Sequence, residues 1–107
     1  MTSTVSTFIS ELIRAANETQ RLSPFERGRL MERAAATIRD YREQIAFSDA
    51  PANDTGPGDI AFDLADMGRT PEAFTAAEVS AKLLEAVEVI KTLRVLHEER
   101  EAILRGE

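Results

Sequence analysis

Apolar residues recur along this chain at steps of three and four, the spacing that gathers them on one side of an α-helix. From about Thr4 to Gln20, Val5, Phe8, Ile9, Leu12, Ile13 and Ala16 make one stripe, with Glu11, Arg14 and Glu18 opposite. Ser3, Thr4 or Ser6 is placed to cap this helix. The second helix, residues 24–47, has a sharper start. Ser23-Pro24-Phe25-Glu26 supplies a capping serine, a proline at the first helical position and a glutamate three residues after the cap. Arg27 occupies the position where a hydrophobic staple to Leu22 would need an apolar residue. Leu30, Met31, Ala34, Ala35, Ile38, Tyr41 and Ile45 hold the apolar face. Gly28 costs about 1 kcal/mol against alanine, which close approach of another helix would offset.

Residues 49–58, DAPANDTGPG, contain two prolines and two glycines among small polar residues and read as a mobile acidic loop. A short helix is expected over 59–67, because Ile60, Leu64 and Met67 fall at helical spacing and Gly68 can close it. Ile60, Phe62 and Leu64 also alternate, so an extended segment is the other reading. The last helix, 71–105, has two candidate starts, Thr70-Pro71-Glu72 and the capping box Thr75-Ala76-Ala77-Glu78. Beyond them it runs without Gly or Pro to Arg105. Val79, Leu83, Ala86, Ile90 and Leu93 alternate steps of four and three, as in a coiled-coil seam. His97 and Arg100 take the next two seam positions before Leu104 resumes it. A second row, Val89, Leu96 and Ile103, runs beside the first at seven-residue spacing.

Length turns this pattern into an expectation about assembly. Residues 71–105 as one helix would span roughly 52 Å, and residues 24–47 roughly 36 Å. Folded back as a hairpin, the second helix leaves on the order of 16 Å of the last one uncovered. A second copy is the simplest cover. The expected fold is all-α and a single domain over 1–107: a helical hairpin with an extra N-terminal helix, paired into a dimeric four-helix-type bundle. Its dimer or bundle interface would use Val79, Leu83, Ala86, Ile90, Leu93, Leu96, His97 and Ile103.

Composition narrows the function classes. With no cysteine there is no disulfide, thiolate metal site or cysteine nucleophile. No apolar run approaches the roughly 18–20 residues that span a bilayer, and Met1-Thr-Ser-Thr-Val lacks a basic n-region, so a cytoplasmic protein without a membrane role is expected. The net charge of −6 disfavours nucleic acid as partner. That charge is localised. Residues 1–48 carry seven Arg against six acids, residues 79–107 five basic against six acidic, and residues 49–78 seven acids against Arg69 alone.

Motifs for chemistry are sparse. Asp59, Asp63 and Asp66 would share one face of the short helix, where oxygen ligands can hold Mg²⁺ or Ca²⁺. A solvated face opposite Ile60 and Leu64 is the plainer account, and no calcium-loop pattern accompanies them. His97 is the sole histidine and lacks the second one, four residues away, of a zinc protease. On a seam it reads as a polar interruption that sets register, able to make dimerisation pH-dependent. Glu18, Glu26, Glu32 and Glu43 do not form the repeated Glu-x-x-Glu pairs of all-helical nucleotide pyrophosphohydrolases. Gly56 and Gly58 match no phosphate loop. Arg27, Arg29, Arg33, Arg39 and Arg42 interleave with Glu26, Glu32, Asp40 and Glu43, so pairing along the helix explains them better than a nucleic-acid strip. Leu22 to Ala46, LSPFERGRLMERAAATIRDYREQIA, resembles the early surface helix of aldehyde dehydrogenases, in which Ser-Pro-x-Glu-Arg precedes Leu and paired Ala. That stretch is about a quarter of the chain, and no catalytic cysteine or dinucleotide fingerprint accompanies it. No activity is carried over.

The functional expectation is a small non-enzymatic regulatory or adaptor protein that needs no cofactor or metal and acts by binding protein. The acidic segment with its apolar anchors, Ile60, Phe62, Asp63, Leu64, Asp66 and Met67, would dock on a basic, nucleic-acid-binding partner and inhibit it. Alanine at Phe62 and Leu64 would then remove partner binding and leave the dimer intact. A metal-dependent all-helical hydrolase using the 59–66 aspartates, and a structural phage or plasmid assembly subunit, are the alternatives.

Overall fold

The computed structural model describes residues 4–45 and 58–106, and among them every regular element is helical. Helix α1 spans Thr4–Asn17, α2 Pro24–Ile45, α3 Ile60–Arg69 and α4 Ala76–Leu104. Single 3-10 turns, Thr19–Arg21 and Pro71–Ala73, lead into α2 and α4. Ala46, Phe47 and the expected loop at 49–57 lie outside the described residues.

Local signals set the starts. Ser23 Oγ accepts from the Glu26 amide at 3.1 Å while Glu26 Oε1 accepts from the Ser23 amide at 2.9 Å, closing the capping box. Hydrogen bonds to its carboxylate from the Ser23 amide, and then from the Ser23 side chain, hold the Glu26 pKa below the usual glutamate value. For α4 the second candidate start prevails. Thr75 and Glu78 form the reciprocal box, whereas Thr70-Pro71-Glu72 yields only a 3-10 turn, because Phe74 adopts an extended conformation that interrupts the helix. Its ring packs against the core. The last helix is therefore 29 residues rather than 35, roughly 43 Å long.

The hairpin expectation is corrected. Gly28, early in α2, lies against Gly68 and Pro71, whereas Tyr41, late in α2, meets His97, late in α4. Helices α2 and α4 thus run parallel, because α3 returns the chain along α2 before α4 begins. Antiparallel packing falls instead to α1 and α4. Ser80 Oγ donates to the Ala16 carbonyl at 2.7 Å at one end, and Arg94 Nη1 to Ser6 Oγ at 2.6 Å at the other. At the α1–α2 turn, buried Thr19 donates to the Ala15 carbonyl while its own carbonyl accepts from Arg27 Nε and Nη2.

Gly68 also departs from expectation. It does not close α3 but lies inside it, with Gly28 opposite, and the missing side chains let the two backbones touch. The extended alternative for 59–68 is excluded by the cap: Asp59 Oδ2 accepts from the Ala61 and Phe62 amides at 3.1 and 3.2 Å, fixing a helix start.

Candidate functional site

Most of the expected interface belongs to the interior of a single chain. Val79, Leu83, Ala86 and Ile90 are fully buried beside Leu12, Met31, Ala34, Ile38 and Leu64, and Leu93 packs against the same core. Within one chain those four hold the bundle together. His97 is half-buried, its ring edge-on to Tyr41 at 5.6 Å and Nε2 3.6 Å from Glu101 Oε1. Burial pushes the Tyr41 hydroxyl pKa up.

The acidic segment also turns part of its apolar row inward. Leu64 and Met67 point inward, and Ile60 packs against the core, so the row that was to anchor a partner instead anchors α3 to α2. Phe62 is partly exposed and Asp66 exposed, the latter paired with Arg69 at 3.0 Å. Asp63 lies 4.0 Å from Lys82 and accepts from the Gly58 amide.

Asp59 has a structural task. Besides capping α3 it receives Arg42 Nη1 at 3.0 Å and Nη2 at 2.8 Å, a two-pronged pair joining the ends of α2 and α3. The Arg42 hydrogen bond, more than the capping amides, holds its pKa below the usual aspartate value. A lowered folded pKa contributes stability above the unfolded value, near 3.9, and loses it as pH falls further. Between about pH 5 and 3, the urea midpoint of the wild type is expected to fall more than that of Asp59→Asn. Equal slopes would show that the carboxylate contributes nothing. The three aspartates do not converge: among the described residues no group of three His, Asp or Glu is placed to hold a metal ion.

What lies exposed and apolar is elsewhere. From the Ser6–Arg94 and Tyr41–His97 contacts, α1 ends level with about residue 96 and α2 with about residue 101. Helix α4 continues past both, and its end carries Val95, Leu96, Ile103 and Leu104, exposed by 49, 44, 73 and 67%. Leu96 and Ile103 lie within about 20° of each other around the helix, with Val95 and Leu104 about 90° to either side.

No protein-family model, curated protein or solved structure matches this chain.

The site therefore rests on geometry alone. Large apolar side chains gathered on the last turns of one helix mark a contact surface more often than single scattered ones do. Leu96 and Ile103 were legible as the second row of the sequence pattern and Leu104 as the resumed seam, with Val95 between the rows, but only Leu96 and Ile103 were assigned to the interface. What finds them is the side of α4 turned away from α1 and α2, which the fold sets and the sequence pattern does not show. Apolar side chains are exposed elsewhere too, Leu84 of α4 by 43% and Phe25 of α2 by 70%. Phe25 is exposed, but Arg29 lies over its ring at 5.9 Å. The groove between α1 and α2 is shut at its middle by Arg33, which stacks on Phe8 at 4.5 Å and binds Glu11 through both terminal nitrogens.

Proposed function

We propose that this chain is a small non-enzymatic protein-binding module of the regulatory or adaptor kind, whose working surface is the end of α4 and whose first partner is a second copy. The observation that carries the reading is the exposed apolar group on the last turns of α4, Val95, Leu96, Ile103 and Leu104. Large apolar side chains grouped on one element mark contact surfaces more often than scattered single ones do. Association covers them, and closed two-fold pairing is the commonest way for identical chains to do so. The acidic segment is not the docking site in this reading, since its largest side chains already serve the core.

Sedimentation equilibrium tests it. The wild type is expected to associate reversibly, and Leu96→Asp/Ile103→Asp to sediment as a monomer with an unchanged helical circular-dichroism spectrum. Both residues are outside the core, so the variant folds. A wild type that stays monomeric up to about 1 mM, where even weak pairing populates dimer, overturns the reading.

A further inference from the structure

The groove between the end of α1 and the start of α2 is crossed by two ties. Arg33 forks onto Glu11 at 3.1 and 3.3 Å, and Arg27 donates to the Thr19 carbonyl at 3.1 and 2.8 Å. The stretch of chain between them, Glu11 to Thr19, covers roughly 12 Å. A pocket of about 260 Å³ opens over it. Its floor is apolar: Ala15 and Leu30 are buried, and Leu22 packs against the core.

The rim is charged, and its charges are unequally engaged. Glu11 is held by Arg33, Glu18 lies 3.4 Å from Arg21, and Glu26 accepts from the Ser23 amide at 2.9 Å. Arg14 of α1 and Arg29 of α2 line the same pocket. Arg14 has no hydrogen-bond or ion-pair partner among the described residues. Arg29 meets the face of Phe25 at 5.9 Å, a contact that occupies none of its N–H donors.

An apolar floor with a few unengaged polar groups at its edge is the ordinary make-up of a small-molecule site. The volume falls a little short of the roughly 300–1,000 Å³ of sites for drug-sized ligands, so the occupant is compact. Two guanidiniums favour a carboxylate, whose paired oxygens match their planar fork of donors. The glutamates that remain on the rim oppose a second negative charge, which disfavours a phosphate dianion.

We propose that this pocket binds a compact amphiphilic carboxylate, its head between Arg14 and Arg29 and its apolar body over Ala15, Leu22 and Leu30. The neighbouring Ala16 carbonyl is bonded to Ser80, so the site lies roughly 24 Å along α4 from Leu96. It does not depend on what covers the end of that helix.

Octanoate is the probe, read by the methyl resonances of Ala15, Leu22 and Leu30 in the full chain. Titration to about 5 mM is expected to shift all three saturably, since a weak site with a Kd of about 1 mM is then mostly filled. Octanamide, with the same body and an uncharged head, is expected to bind about tenfold more weakly, the order that two partly exposed ion pairs contribute. Arg14→Gln/Arg29→Gln is expected to weaken octanoate by a similar factor and to leave octanamide unchanged. Both positions are exposed and glutamine is a good helix former, so the helical circular-dichroism spectrum is expected to stay the same. Any one of four results overturns the site: no saturable shift at the three methyls, shifts confined to Leu96, Ile103 and Leu104, equal affinity for octanamide, or wild-type octanoate binding by the double variant.

Discussion

Leu64→Ala is expected to lower the unfolding free energy by about 2–5 kcal/mol, the cost of deleting a fully enclosed leucine side chain together with the cavity it leaves. Leu64 has no exposed surface, and its α3 neighbours Ala61 and Met67 are also buried. Small domains are stable by only about 5–15 kcal/mol, so a loss of this size is a large part of the total. The contrasting change is Leu96→Ala, at a position 44% exposed, which at concentrations too low for association is expected to alter stability by about 0.5 kcal/mol at most. Urea unfolding of the two variants at one protein concentration, with matched m-values, separates them. Near-wild-type stability for Leu64→Ala would mean that α3 is not seated as described. The two variants together decide which apolar residues are structural and which are available.

The second large effect reverses an ordinary sign. Glycine to alanine inside a helix normally adds about 1 kcal/mol of stability. At Gly28 a Cβ would stand 2.7 Å from the Gly68 carbonyl oxygen and 3.3 Å from Pro71 Cγ. The first of these atoms is backbone and cannot rotate away, so α3 must lift. Gly28→Ala is therefore expected to lose about 1–3 kcal/mol, the usual cost of forcing atoms into a packed contact. In a domain of this size each kcal/mol moves the melting temperature by about 4–8 °C. Gly68→Ala meets the flexible Glu32 Cγ at 2.8 Å and the Gly28 carbonyl oxygen at 3.0 Å, so part of its strain can relax, and a smaller loss is expected. A raised melting temperature for Gly28→Ala would show that α2 and α3 are farther apart than the structure places them.

Helix identity and helix starts were legible along the chain because their causes are local. The stripe from Val5 to Ala16, the Ser23–Glu26 box and the Thr75–Glu78 box each depend on residues within a few positions of one another, and each is realised in the fold. Gly28 was legible as a point of close approach, though not the identity of the helix that approaches. Partnership was not legible. The seam of Val79, Leu83, Ala86 and Ile90 carries the same periodicity whether its cover is another chain or α1 and α2 of its own. Likewise Ile60, Leu64 and Met67 on an acidic background read equally as a docking row or as the underside of a packed helix. Periodicity states that a face is to be buried; it is silent about against what. Only the tertiary arrangement, in which α3 returns along α2 and sets α4 parallel to it, determined which apolar residues were consumed inside and which were left at the end of α4. Burial is a sum over contacts distant in sequence, and no local pattern contains that sum.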